Sequence, residues 1–168
     1  MKSQNQNNET IDLPDDLFAQ KGKEKTPPPC ILVIFGASGD LTKKKLIPAL
    51  YNLMIDGLLP ANFVCAGFAR REKSDEKFRK EMSESIKSYS RSKGSDKEIE
   101  MFTEKLFYYQ SNFDDDNGYE NLNGYLADLD KKYGTMGNRI YYLSVQPSFF
   151  SDITEKLRQH NLIYDEND

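Results

Sequence analysis

A turn of four residues with two glycines, Gly36 to Gly39, separates an apolar run from a helical pattern in this 168-residue chain. Two glycines in a short turn let the backbone bend sharply and let a ligand approach it closely. A helix that begins directly after the turn points its unpaired N–H groups and the positive end of its dipole at that ligand. The arrangement suits a phosphate, although many tight turns contain glycine for backbone reasons alone.

The turn is flanked by the two elements that a phosphate site of this kind needs. Residues 31–35 read ILVIF, a continuous apolar run rich in β-branched side chains. Such a run predicts a strand that is buried on both faces, as in parallel sheets. Apolar residues at helical spacing then predict an amphipathic helix with one buried face. That face is formed by Leu46, Leu50, Leu53 and Met54.

The beginning of the predicted helix has three unusual features. Asp40 or Thr42 is the expected N-cap. The lysines at 43–45 place positive charge where the helix dipole disfavours it, by roughly 0.3 kcal/mol for each exposed residue. These lysines form either a solvated basic face or a site for a bound pyrophosphate that supplies the opposite charge. Pro48 falls inside the helix, where it removes one hydrogen bond and is expected to bend it.

The spacing of the glycines excludes two common nucleotide-binding motifs. It does not match G-x-G-x-x-G, because Ala37 and Ser38 separate the two glycines. A P-loop would need Gly and Lys at the positions where Leu41 and Thr42 stand. An ATPase or a kinase is therefore not expected.

A second predicted strand, residues 62–68, ends at Arg70 and Arg71. In a dinucleotide-binding βαβ unit, an acidic residue at this strand end binds the ribose 2′-hydroxyl of NAD, whereas an Arg pairs with the 2′-phosphate of NADP. A charge-assisted hydrogen bond contributes roughly 1.5–3 kcal/mol, and Ser38 can add a hydroxyl from the turn. The sequence therefore predicts a preference for NADP, with two exposed loop arginines as the alternative.

The rest of the chain alternates helical and strand patterns. Strands are predicted at residues 107–111 and 139–145, and helices at 74–89, 97–105, 119–133 and after residue 148. The order β-α-β-α-β-α-β-α, with an extra helix after the second strand, predicts an α/β fold: a Rossmann-like, doubly wound and mainly parallel sheet. Leu106 is assigned to the buried face of a helix, and so are Phe149, Phe150, Ile153 and Leu157.

Several features argue against other classes of protein. The net charge is −4, and no broad basic stripe indicates nucleic-acid binding. No apolar run reaches membrane-spanning length, and the first residues lack the apolar core of a signal peptide. The acidic run at 114–116 is interpreted as a solvated turn, because adjacent carboxylates on one turn point apart. His160, the only histidine, is expected to have a surface or capping role.

The two cysteines, Cys30 and Cys65, fall in predicted strands and are expected to be small buried side chains in a reducing cytoplasm, with no disulfide between them. No Cys/His cluster predicts a metal site. Residues 1–29 are polar and end in three prolines, a composition that predicts a flexible tail. The domain itself is expected to span residues 30–168.

From about residue 31 to its end, the sequence resembles the glucose-6-phosphate dehydrogenase family. Residues 36–41 read GASGDL and are followed by Lys45-Leu46 and by PALY at 48–51. Residues 57–60 read GLLP, and 67–70 read GFAR, similar to a G-x-(G/A)-R element of the family. Residues 138–143, NRIYYL, resemble a later N-R-x-x-Y-x strand.

The resemblance implies an amino-terminal NADP-binding domain whose parent oxidises D-glucose 6-phosphate to 6-phospho-D-glucono-1,5-lactone. It also implies that the large α+β domain carrying the sugar site and the catalytic histidine lies outside this chain. The fragment alone is then expected to bind NADP without catalysis, and to form a homo-oligomer only with the further domain. The residues expected to bind the cofactor are Gly36, Ala37, Ser38, Gly39, Asp40, Leu41, Thr42, Lys43, Arg70, Asn112 and Phe113.

Two alternatives remain at this stage. One is another NAD(P)-binding module, such as a short-chain dehydrogenase or epimerase, which needs a Tyr-x-x-x-Lys pair on a late helix that is not found here. The other is a non-catalytic sensor domain.

Overall fold

The computed structural model describes residues 26–163, so most of the predicted tail, residues 1–29, lies outside the described part of the chain. The described residues form four strands and five α-helices. The strands are β1 Cys30–Phe35, β2 Phe63–Ala69, β3 Leu106–Gln110 and β4 Arg139–Leu143. The helices are α1 Ile47–Ile55, α2 Asp75–Tyr89, α3 Asp96–Thr103, α4 Asp116–Tyr133 and α5 Phe150–Gln159.

The four strands form one parallel sheet in the order β3-β2-β1-β4. Ile31 of β1 lies opposite Val64 of β2 and opposite Arg139 of β4, so β1 is central. The chain adds β2 and β3 on one side of β1 and then crosses over to add β4 on the other. This winding confirms the predicted α/β, Rossmann-like sheet.

Helices cover both faces of the sheet and create two hydrophobic cores. Helices α1, α2 and α3 pack on one face, with Tyr51, Phe78 and Phe102 fully buried. Helices α4 and α5 pack on the other face, around Phe35 and Tyr119. Every residue of β2 is buried, as expected for an inner strand with helices on both sides.

The helix that follows the glycine turn differs from the prediction, because it contains a wide turn close to its start. Residues Thr42–Leu46 form a π-helical turn, in which the N–H of Ile47 donates to the carbonyl of Thr42, five residues earlier. In the same pattern the Lys43 carbonyl would pair with residue 48, but Pro48 has no N–H. The hydroxyl of Ser85, on α2, donates to the Lys43 carbonyl instead.

The π-helical turn bears on two expectations about this helix. Pro48 lies inside the continuous helical segment from residue 40 to Ile55 and removes one helical hydrogen bond, as predicted, and the π-helical turn directly before it accommodates the missing N–H. The extra residue also rotates the apolar face of the helix. Ile47 and Tyr51 are therefore fully buried, and Leu53, which was assigned to the buried face, is 37% exposed.

Replacing Ser85 with Ala should lower the free energy of unfolding by about 1–3 kcal/mol, because it removes the hydrogen bond from the buried Ser85 hydroxyl to the partly buried Lys43 carbonyl. Urea denaturation of the two proteins measures the difference. Ser88→Ala on the same helix is the matched control, since the Ser88 hydroxyl donates to a carbonyl at an exposed position. The control should change stability by less than about 0.5 kcal/mol. Equal losses in both variants would contradict a specific role for Ser85.

Other element boundaries also differ from the predictions. Leu106 begins β3 and does not end the preceding helix, and β4 ends at Leu143. Asp116 belongs to the first turn of α4, so the predicted acidic turn is shorter than expected. Phe149 and Phe150 were predicted to be buried but are 39% and 40% exposed; Phe149 ends the short 3-10 turn before α5, and Phe150 is the first residue of α5.

The remaining predictions concern single side chains. Ile153 and Leu157 of α5 are buried as predicted. Cys30 and Cys65 are buried free thiols, and burial raises the pKa of the Cys65 thiol to about 12. His160 directly follows α5, at its C-cap position, and its Nε2 atom lies 3.0 Å from Oδ1 of Asp116 on α4. Within residues 26–163, no helix is both long enough and apolar enough to cross a membrane.

Candidate functional site

An open cleft of about 830 Å³ lies at the carboxyl ends of the strands, beside the point where the chain order of the sheet reverses between β1 and β4. In doubly wound folds this switch point is where ligands bind. The residues that line the cleft come from the loops after all four strands and from α5. They are Gly36, Ser38, Gly39, Ala69, Arg70, Asn112, Phe113, Asp114, Ser144, Val145, Gln146, Phe149, Ser151, Asp152, Glu155, Lys156 and Gln159.

The cleft brings together six of the predicted cofactor-binding residues: Gly36, Ser38, Gly39, Arg70, Asn112 and Phe113. The other five, among the described residues, lie around the turn without lining the cleft. They are Ala37, which is buried, Asp40, Leu41, Thr42 and Lys43.

Gly36 is the residue that fixes the shape of the turn. Its φ of +84° is a conformation that other residues rarely adopt, and a Cβ there would collide with the backbone carbonyl oxygen of Ser144. Its N–H donates to the carbonyl of Phe68 at 2.9 Å, and its own carbonyl accepts from the N–H of Gly39 at 2.9 Å. The turn is therefore held between the ends of β2 and β4.

Gly67, inside β2, allows the turn to lie directly on the sheet. A Cβ at this position would be 2.6 Å from the Cβ of Ala37, which packs against the strand. Sequence reasoning assigned no role to Gly67. A signal was present, because a glycine within a strand often marks a close approach of another backbone.

The start of the helix offers several N–H groups to a ligand. Its first hydrogen bond runs from the N–H of Lys43 to the carbonyl of Gly39, at 3.1 Å. The N–H groups of Asp40, Leu41 and Thr42 precede this bond and have no earlier carbonyl within the helix. They adjoin the turn, where a helix N-terminus favours an anion.

Neither of the two predicted N-caps has that role. The side chain of Thr42 is fully buried, and its hydroxyl lies 3.2 Å from the carbonyl oxygen of Gly36 and 3.3 Å from Oγ of Ser144. It therefore braces the turn against β4. Asp40 pairs with Lys44 at 2.7 Å, and this contact lowers the pKa of the Asp40 carboxyl. At least one of the three lysines is thus balanced by its own helix.

Arg70 directly follows β2 in the chain, and it lines the part of the cleft next to the end of that strand. Asn112 and Phe113 follow β3 beside it. The Phe113 ring stacks on Phe68, with ring centroids 6.0 Å apart, and meets Phe149 edge-on at 5.4 Å. The cleft therefore combines a cationic group, an amide and an aromatic wall close to the glycine turn.

The opposite wall is formed by α5 and was missed by sequence reasoning. It contributes Asp152, Glu155 and Lys156. Lys156 pairs with Asp116 of α4 at 2.6 Å, and Lys156 and His160 together lower the pKa of the Asp116 carboxyl. No local sequence signal marks this wall, because the residues after β4 lie beside the glycine turn only through the pairing of β4 with β1.

A parallel sheet of this order, with a glycine turn at the switch point and an arginine after β2, defines a dinucleotide-binding domain. Residues 33–168 match the family model described as "Glucose-6-phosphate dehydrogenase, NAD binding domain". The chain belongs to the glucose-6-phosphate dehydrogenase family.

The similarity to individual members is high but covers only part of them. The glucose-6-phosphate 1-dehydrogenases of Chlamydia pneumoniae and Chlamydia muridarum are 54% and 51% identical over 86% and 83% of this chain. A solved glucose-6-phosphate dehydrogenase in complex with glucose-6-phosphate superposes with a TM-score of 0.72 and 30% identity over 86% of this chain. The aligned region is 28% of each chlamydial protein and 30% of the solved chain, so this chain spans less than a third of their length.

Proposed function

We propose that this chain is the coenzyme domain of an NADP-dependent glucose-6-phosphate dehydrogenase. The parent protein oxidises D-glucose 6-phosphate to 6-phospho-D-glucono-1,5-lactone, the first step of the pentose phosphate pathway. Family membership supports the proposal, and the observation that carries it is the convergence of the Gly36–Gly39 turn and Arg70 on one cleft. A cytoplasmic location is part of the same proposal.

The described residues fit a phosphorylated dinucleotide. Gly36 and Gly39 line the cleft and carry no side chains, so a ligand can approach their backbone, and the N–H groups of residues 40–42 suit the pyrophosphate. Arg70 and Ser38 would pair with the 2′-phosphate, because a guanidinium matches phosphate oxygens two at a time. Asn112 and Phe113 would border the adenine.

This fit assigns cofactor binding to this chain and leaves the sugar chemistry to the rest of the parent protein. Bound NADP supplies the hydride acceptor, and the residues of this chain bind and orient it. A dehydrogenase also needs a base near the sugar hydroxyl. The only histidine, His160, is held by Asp116 and does not line the cleft. We therefore propose that this chain binds NADP without catalysis, and that the sugar site and oligomer contacts lie in the part of its relatives that it does not span.

Arg70→Ala should weaken NADP binding by about 10- to 100-fold and leave NAD nearly unchanged, because it removes a charge-assisted contact to a group that NAD lacks. Calorimetric titration of the chain with each cofactor measures the two dissociation constants.

Arg71→Ala is the matched control, since its side chain is exposed and is not among the residues lining the cleft. It should lower NADP affinity by less than about threefold, which corresponds to the loss of a solvent-screened contact. If Arg70→Ala weakened both cofactors equally, Arg70 would not read the 2′-phosphate. If the unmodified chain bound neither cofactor, the proposed function would be wrong.

A further inference from the structure

The loop between β2 and α2, residues 70–74, is held in place by hydrogen bonds from the neighbouring strand β3. The phenolic hydroxyl of Tyr108 donates to the carbonyl of Arg71 at 2.6 Å, and the N–H of Tyr108 donates to Oδ1 of Asp75 at 2.7 Å. Gln110, also on β3, approaches the carbonyl of Arg70 at 3.5 Å from an exposed position. The Tyr108 contacts are the shorter ones, and their geometry fixes the backbone directly after Arg70.

Tyr108 is itself held rigidly. It is 7% exposed, and its ring lies 5.1 Å from that of Phe78. Lys73, which pairs with Glu81 of α2, lies 6.0 Å from the centroid of the same ring. Burial raises the pKa of the Tyr108 phenol, so the hydroxyl keeps its proton and remains a donor.

The side chain of Arg70, by contrast, is exposed at the cleft. A long side chain loses rotamer freedom when it binds a phosphate, and a fixed backbone reduces that loss because it limits the directions the side chain can take. The direction in which Arg70 leaves β2 therefore depends on the anchored Arg71 carbonyl.

We propose that Tyr108 is a positioning residue that sets the preference of the cleft for a 2′-phosphorylated dinucleotide. It acts through the Arg71 carbonyl on Arg70 and does not itself contact the cofactor. The inference rests on the proposed function, since it presumes that Arg70 reads the 2′-phosphate. It adds a residue from β3, outside the glycine turn and the β2 end, to the determinants of cofactor choice.

Tyr108→Phe tests the inference, because it removes the hydroxyl and keeps the buried ring. NADP binding by the 168-residue chain should weaken about five- to tenfold, as expected for one lost hydrogen bond, and NAD binding should change less than twofold. Tyr109→Phe is the matched control: its hydroxyl also donates to a backbone carbonyl, that of Gly118, at 2.7 Å, but towards α4. The control should leave the ratio of the two dissociation constants unchanged.

A double variant separates positioning from a general structural effect. If Tyr108 acts through Arg70, adding Tyr108→Phe to Arg70→Ala should weaken NADP binding no further. Additive losses, equal weakening of NADP and NAD, or the same change in Tyr109→Phe would each overturn the inference. An unchanged ratio in Tyr108→Phe, with a normal loss in Arg70→Ala, would overturn it and leave the proposed function standing. Absence of binding to the unmodified chain would overturn both.

Discussion

Gly36→Ala should lower the free energy of unfolding by about 3 kcal/mol or more, a large loss for one added methyl group. The φ of +84° disfavours any L side chain, and the added Cβ would collide with the carbonyl oxygen of Ser144. The Ser144 carbonyl cannot easily move away, because the N–H of Ser144 donates to the carbonyl of Phe35 at 2.9 Å and holds β4 against β1 at this point. Urea denaturation of the chain without cofactor measures the effect.

Two other glycines serve as controls for this prediction. Gly124 lies on α4 with open space where a Cβ would point, so Gly124→Ala should raise stability by about 0.5–1 kcal/mol. Gly39 lacks a positive φ, and a Cβ there would meet only the Gly36 carbonyl, at 3.1 Å. Gly39→Val should therefore leave the domain folded. Because Gly39 lines the cleft, the added side chain should nevertheless prevent cofactor binding. A Gly36→Ala variant as stable as the unmodified chain would contradict the described turn.

Arg139→Met should cost about 3–5 kcal/mol of stability, because it leaves a largely buried carboxylate without its cationic partner. The Nη2 atom of Arg139, on β4, lies 2.9 Å from Oδ2 of Asp130, on α4, and both side chains are about 15% exposed. Nη1 of Arg139 also donates to Oδ1 of Asn123 at 3.1 Å, so the guanidinium ties β4 to α4 at two points. Chemical denaturation again gives the difference.

The control for a general effect of losing an arginine is Arg91→Met. Arg91 pairs with Asp56, but their side chains are 70% and 38% exposed, so the variant should change stability by less than about 1 kcal/mol. Replacing Arg139 and Asp130 together with Met and Leu should recover most of the loss, since no unpaired charge remains. If the single and double variants were equally unstable, the charge would not be the cause.

Local patterns predicted most of the elements, because each element carries its own signals. Helix α2 illustrates this: Ser74 was predicted to begin it, and the Ser74 hydroxyl accepts from the N–H of Lys77 at 3.2 Å. The periodicity failed at Leu53. There the π-helical turn shifted the apolar face. The Lys43 carbonyl of that turn accepts its hydrogen bond from Ser85, which is 42 residues further along the chain. No local stretch of sequence contains both Lys43 and Ser85.

The same distinction applies to the candidate site. The glycine turn and Arg70 were found from spacing because each stands directly after a strand. Ser144, Phe149 and Lys156 were not found, since they adjoin the cleft only because β4 pairs with β1. The sequence predicts that β4 exists, but its neighbour in the sheet is a property of the tertiary structure.

The central place of β1 also has an entropic consequence. Ile31 pairs with Val64, 33 residues away, and with Arg139, 108 residues away. Loop closure for the second pairing costs about 1 kcal/mol more than for the first, because this entropy grows with the logarithm of loop length. The cleft lies beside this more distant pairing. A ligand that touches both the glycine turn and the residues after β4 therefore stabilises the contact that the chain entropy opposes most.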